Sequence, residues 1–256
     1  MKIDDVRRVT VVLAAFGTLL SALSALSACG AAEPGVAHAG GVPAPQGRAM
    51  RSSDAPEDPP VDPTRVPGVG DRLYQRIPAD SSQVVVVYGE GRNSARSTVV
   101  LYARHGVEWR QMRSWHAHNG RNGWTTDHWM DDERSPVGVF TLSDAGGVLP
   151  DPGTRLPYDH DEGAYAPPDG WDGTHQHDFD YVIAIDYNRV KGTHPHDTTR
   201  PEGVEKGGGI WLHLDHGGGT SGCISVPKKA MRYLLRTLDP ARHPVAVMGH
   251  MAELRA

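Results

Sequence analysis

One stretch constrains the fold more than any other. It runs Gly209-Ile210-Trp211-Leu212-His213-Leu214-Asp215-His216, then Gly217-Gly218-Gly219, then Thr220-Ser221-Gly222-Cys223-Ile224-Ser225-Val226. Ile210, Leu212 and Leu214 alternate with Trp211, His213 and Asp215, which is the period of a half-buried strand. His213 therefore shares a face with Trp211 and Asp215. His216 falls on the other face and reads as structural. Three successive glycines accept backbone angles that other residues resist. The chain is thus expected to turn back tightly on the strand and bring Cys223 to the end that carries His213. A thiol beside an imidazole is the minimum equipment for a cysteine nucleophile.

The residues that follow extend this reading. Pro227 opens a segment in which Ala230, Met231, Leu234, Leu235 and Leu238 keep helical spacing, and Asp239-Pro240 stops it. A helix N-terminus close to the sulfur, together with an imidazolium, is expected to bring the thiol from about 8.5 to neutrality or below. The backbone N–H groups of Gly222 and Cys223 are candidates for an oxyanion hole, with Ser221 supporting the same loop. Trp211, Gly219, Thr220 and Ser225 flank the pair and are the candidates for substrate contact.

These residues resemble the signature of the L,D-transpeptidase (YkuD-type) catalytic domain: a strand histidine, a glycine-bearing gap, then Ser/Thr-His-Gly-Cys, an apolar residue and Arg or Asn. His213, Thr220, Gly222, Cys223 and Ile224 match. Ser221 stands where the commoner form has a second histidine, and Ser225 where it has Arg or Asn, which marks a divergent branch. Arg134-Ser135-Pro136-Val137-Gly138-Val139-Phe140 resembles the family's Thr-Pro-x-Gly-x-Phe segment, with Ser135 in place of threonine. The resemblance runs over about residues 83–249.

It implies a thioester-forming acyltransferase acting on peptidoglycan stem peptides, with Cys223 as nucleophile and His213 as base. That chemistry needs no metal or organic cofactor. A carboxypeptidase on the same substrate is one alternative. Another is an inactive wall-binding lipoprotein, given the departures at Ser221 and Ser225.

The N-terminus reads as a targeting segment. Lys2, Arg7 and Arg8 precede an apolar and small-residue run from Val9 to Leu26. Leu26-Ser27-Ala28-Cys29-Gly30 resembles a lipoprotein cleavage site, with Cys29 as the lipidated residue; the alternative is an ordinary secretory signal. The continuous apolar part is shorter than a membrane span. Residues 1–28 are therefore expected to be a signal peptide, and 29–70 a Pro/Ala/Gly-rich linker. The protein is expected on the extracytoplasmic face of the membrane, held by its lipid. The chain has only two cysteines. With Cys29 lipidated, Cys223 stays unpaired in an oxidising compartment; the alternative is a Cys29–Cys223 disulfide.

Residues 71–256 are expected to form one mainly β domain, a sandwich or partly closed barrel, with one clear helix after Cys223. Strands are expected at Gln83–Tyr88, Ser97–Arg104, Val107–Trp115, Val137–Leu142, Asp178–Tyr187 and Pro244–Met248. Three long loops, 116–134, 149–177 and 189–208, are candidate substrate walls. Trp124, Trp129 and Trp171 in them read either as sugar-stacking or as loop-packing residues. The histidine pairs 175/177, 194/196 and 213/216 lie mostly in Gly/Pro/Asp-rich loops and read as solvated, with zinc chelation beside Cys223 as the alternative. The net charge of −5 argues against a nucleic-acid partner. Oligomeric state is not legible in the sequence.

The targeting reading has a direct check. Cys29→Ser is expected to abolish metabolic labelling of the protein with a fatty-acid analogue, and continued labelling would overturn the lipidation assignment.

Overall fold

A computed structural model describes residues 62–256. The expected signal peptide, Cys29 and the linker up to residue 61 lie outside the described residues. Among those described are twelve strands: β1 (Gln83–Gly89), β2 (Arg96–His105), β3 (Glu108–His118), β4 (Trp124–Thr125), β5 (Ser135–Pro136), β6 (Gly138–Thr141), β7 (Ala145–Gly147), β8 (Tyr158–His160), β9 (Val182–Ala184), β10 (Trp211–Leu214), β11 (Ile224–Val226) and β12 (Val245–His250). The helices are α1 (Asp71–Tyr74), α2 (Lys228–Thr237) and α3 (Met251–Arg255).

Ten strands form one mixed sheet in the order β6-β12-β1-β2-β3-β11-β10-β9-β7-β8, and β4 pairs with β5 separately. The domain is mainly β, as expected. The sheet ends at β6 on one side and β8 on the other, so it is not closed into a barrel.

The run Val84-Val85-Val86-Val87 is buried throughout because both faces of β1 are covered. Val85 and Val87 join the larger apolar cluster, which holds Leu212, Leu214, Ile224 and Val226 and the α2 residues Ala230, Met231, Leu234 and Leu235. Val84 and Val86 join a second cluster with Val245, Val247, Leu73 of α1 and Leu254 of α3. Val66 and Val69, within the stretch expected as linker, are buried in that second cluster. The packed domain therefore takes in residues before Asp71.

Of the expected strand Asp178–Tyr187, only Val182–Ala184 pairs regularly. The Asp178 and Asp180 N–H groups donate to the His175 and His177 carbonyls, each at 3.2 Å, and these turns preclude extension there.

The glycine-rich connection does not make the expected tight reversal. β11 runs parallel to β10, with Leu212 against Ile224, His213 against Ser225 and Leu214 against Val226. Residues 215–223 carry the chain back to the start of β10 instead of hairpinning at its end. On the way they lean on the 119–121 segment: Thr220 N–H donates to Asn119 O at 3.0 Å and Arg121 N–H to Thr220 O at 2.8 Å. Gly219 permits this approach, because a Cβ there would lie 2.6 Å from Arg121 Cα.

The helix α2 forms where its spacing predicts, after Pro227 at the N-cap. Its Leu235 is fully buried in the larger cluster. Leu235→Ala is expected to lower stability in urea by about 2–5 kcal/mol, the usual loss for a leucine cavity. A loss below about 1 kcal/mol would show that this face of α2 does not hold the sheet.

Candidate active site

Parallel register sets the geometry. His213 is level with Ser225, so Cys223, two residues before Ser225, lies on the same face of the sheet. The offset is about 7 Å along the strand and about 5 Å across. Both side chains line one cavity of about 370 Å³. The thiol has two near partners at rest: Trp211 N–H approaches Sγ at 3.4 Å, and Sγ lies 3.5 Å from Gly209 O.

His213 is 3% exposed and packs edge-on against Phe179, with ring centroids 5.4 Å apart. Its Nδ1 lies 2.8 Å from Leu214 O. A carbonyl only accepts, so Nδ1 carries a proton, and in the neutral ring Nε2 keeps its lone pair. Burial holds the imidazole down to about 4, against the Leu214 carbonyl, which favours the charged form. The ring is therefore neutral at pH 7.

The sulfur does not behave as the helix argument predicts. Burial pushes the Cys223 thiol up to about 11, only partly opposed by the Trp211 N–H. The extended β11 separates Cys223 from α2, whose first residue is Lys228. Five residues of extended chain put the helix terminus on the order of 16 Å away, beyond the reach of an effect confined to the first turn. The resting pair is thiol and neutral imidazole, not a preformed ion pair.

Two residues brace the cysteine loop. Thr220 Oγ1 donates to Cys223 O at 2.6 Å and accepts from Gly222 N–H at 3.1 Å. Ser135 Oγ donates to Gly222 O at 2.7 Å and accepts from Gly120 N–H at 2.9 Å. The Gly222 N–H is thus already engaged, and Cys223 N–H is the remaining oxyanion candidate of the expected two. Gly222 itself sits at φ +143°, a backbone angle that disfavours any side chain. Thr220 therefore acts as a loop brace. Sequence reading marked Ser135 only as part of a segment resemblance. Its bracing role depends on β5 lying beside the loop, which no local pattern announces.

The other expected contact residues divide. Gly219 and Thr220 line the cavity, as does Ser221, which was expected as loop support. Ser225 is fully buried and donates to Asp215 Oδ1 at 2.8 Å, so it does not face a substrate. Asp215 also meets His118 Nδ1 at 2.8 Å and takes no part in orienting His213. The indole of Trp211 is turned away to donate to Pro195 O at 3.2 Å; its backbone N–H, not its ring, serves the sulfur.

Of the three loops, two contribute walls: Arg121 from the first, and Trp171, Asp172 and His175 from the second. The third does not line the cavity. Its start is held elsewhere by buried Arg189, which pairs with Asp144 and Asp186. Trp124 is core, at 1% exposure, and Trp129 is stacked under Lys206. Trp171 alone of the three tryptophans reaches the cavity. Sequence reading missed Asp178, Phe179 and His216 as wall residues. His216 was expected on the opposite face, but β10 ends at Leu214 and strand alternation stops before it.

Residues 81–247 match the family model described as the L,D-transpeptidase catalytic domain, YkuD. Among solved structures, that of Bdellovibrio bacteriovorus Bd1075 is similar over 65% of this chain and 47% of that one, at 16% identity and a TM-score of 0.36. The chain thus spans about half the length of that protein. No curated protein sequence matches the chain.

Because the thiolate is the species that is alkylated, the rate of Cys223 modification by iodoacetamide is expected to climb through the alkaline range. Its midpoint should lie above that of a free thiol, which is about 8.5. A midpoint at or below neutrality would contradict the protonated resting state.

Proposed function

The chain belongs to the L,D-transpeptidase catalytic domain (YkuD) family, and from that premise we propose that it is a cysteine acyltransferase that crosslinks peptidoglycan stem peptides. The observation that carries this reading is the hydrogen bond from His213 Nδ1 to Leu214 O, which leaves Nε2 as the proton-accepting nitrogen of a residue that lines one cavity with Cys223.

The reaction follows from the neutral pair. As Sγ attacks the carbonyl before a terminal D-amino acid, its proton passes to His213 Nε2. The carbonyl oxygen gains the negative charge and is met by Cys223 N–H. The C–N bond then breaks, and the departing amine takes the proton from His213. A thioester remains on Cys223. An amine from a second stem attacks it, gives its proton to His213, and forms the new amide as the sulfur leaves and is reprotonated. Water in place of the amine gives hydrolysis. Because the imidazole stays neutral down to about pH 4, the base is available throughout the neutral range.

Two features support a peptide substrate. The cavity is large enough for a few residues of a stem, and its lining includes Arg121, which pairs loosely with Glu133 at 3.4 Å and would turn to a terminal carboxylate. Lipid anchoring through Cys29 would hold the enzyme at the extracytoplasmic face of the membrane, beside its polymer.

The test is incubation with purified muropeptides followed by mass analysis. Wild type is expected to release a D-amino acid and to carry a thioester on Cys223. Cys223→Ala is expected to keep its fold and lose turnover by about a thousandfold or more, as for removal of a covalent nucleophile. Crosslinked dimer as the main product supports transfer; trimmed monomer alone would make the protein a carboxypeptidase. Turnover in Cys223→Ala near wild type would remove the nucleophile assignment.

A further inference from the structure

One side of the cavity holds three side chains that the thiol chemistry does not use. His175 ends a short 3-10 turn, Gly173–His175. Asp178 lies between that turn and β9, and His216 lies in the loop after β10. His175 Nδ1 is 2.8 Å from Asp178 Oδ2, and His216 Nδ1 is 3.0 Å from the same oxygen. One ligand atom from each of the three lies within 4.8 Å of the others.

The cluster is built rather than incidental. Asp178 is 3% exposed, and the side chain of His216 is 9% exposed. His216 Nδ1 is buried yet has no hydrogen-bond partner: it stands beside the carboxylate without the alignment a hydrogen bond requires. Leaving such an atom unsatisfied is unfavourable, and a ligand at that point would remove the cost. The three residues line the same cavity as Cys223 and Thr220.

The donor set points to a class of ligand. Two imidazole nitrogens and one carboxylate oxygen suit zinc and its neighbours in the first transition row, whereas magnesium and calcium prefer all-oxygen sites. Ligand atoms on a tetrahedral ion at about 2.0–2.1 Å lie about 3.3 Å from each other, so the 2.8 and 3.0 Å separations seen here would open by a few tenths of an ångström when the ion enters.

We propose that His175, Asp178 and His216 form a binding site for a divalent transition-metal ion of the zinc class in the wall of the Cys223 cavity. Three protein ligands leave coordination positions for water or an oxygen ligand from the cavity. The site goes beyond the acyl-transfer reading and does not depend on it. A second group, Asp159, His194 and His196, is the internal comparison. There His196 Nδ1 is likewise buried without a hydrogen-bond partner, but the carboxylate already accepts from Tyr165 at 3.0 Å and its side chain is 36% exposed.

The probe is Co²⁺ alone, titrated into metal-free full-length protein and followed by visible d–d absorption. The Cys223→Ser background removes the thiol of the cavity. One equivalent is expected to saturate the signal in Cys223→Ser, and Zn²⁺ is expected to displace it. Adding His216→Ala or His175→Ala is expected to weaken binding at least about tenfold, with circular dichroism unchanged. His175 sits in an exposed turn, so its variant tests the site even if His216→Ala destabilises the loop. Adding His194→Ala is expected to leave the titration unchanged. Absence of saturable binding in Cys223→Ser would overturn the proposal. So would a signal that survives both His175→Ala and His216→Ala, or one that is lost on His194→Ala.

Discussion

The bond from His213 Nδ1 to Leu214 O is the constraint on which the cavity chemistry depends. It joins a side chain to the backbone of the next residue, so it needs no distant partner to form. It fixes the protonation of a buried ring that would otherwise have two neutral choices. The parallel pairing of β10 with β11 then sets Cys223 on the same face, two residues back. Thr220 and Ser135 hold the returning loop so that this offset is kept. The apolar sides of both strands, Leu212, Leu214, Ile224 and Val226, are fastened under α2. The reactive face is thus positioned by the burial of the opposite face.

Two effects compete for the charge state of the sulfur. A helix N-terminus contributes about 0.3–1 kcal/mol at an exposed site and falls off within a turn. Desolvation of the Cys223 thiolate is larger: pushing the thiol up to about 11 from a free thiol's roughly 8.5 corresponds to about 3 kcal/mol. Desolvation would win even with the helix adjacent, and the intervening β11 removes the helix from the contest. A protonated resting thiol also resists adventitious oxidation, because the thiolate is the reactive form. In the proposed reaction, activation is deferred until an acyl group occupies the cavity and His213 receives the proton.

Much of this was legible in the sequence, and the failures share a cause. The alternation of Ile210 to Asp215 located the strand, and the spacing of Ala230, Met231, Leu234 and Leu235 located the helix. Both signals are local. The direction of β11 was not local: three glycines permit a hairpin or a parallel return equally, and the choice was made by the 119–121 segment, a hundred residues earlier. The fate of Ser225 followed from that choice, since parallel pairing buries its hydroxyl against Asp215. His177 and His194 are exposed as expected, but His175 and His216 are not free in solvent, for a similar reason. Glycine, proline and aspartate around His175 signal a surface turn, and the turn is there, but it folds over the cavity and meets His216. Val66 and Val69 sit among prolines and glycines that suggest a linker, yet the second core cluster takes them in.

The account's central claim is that His213 is neutral, with its proton on Nδ1 and its lone pair on Nε2. The most direct measurement is the nitrogen-15 NMR spectrum of the His213 ring at pH 7, in protein labelled at the histidine ring nitrogens. The account predicts a protonated Nδ1 and a bare Nε2. A ring protonated on Nε2 alone, or on both nitrogens as an imidazolium paired with a thiolate, would contradict it.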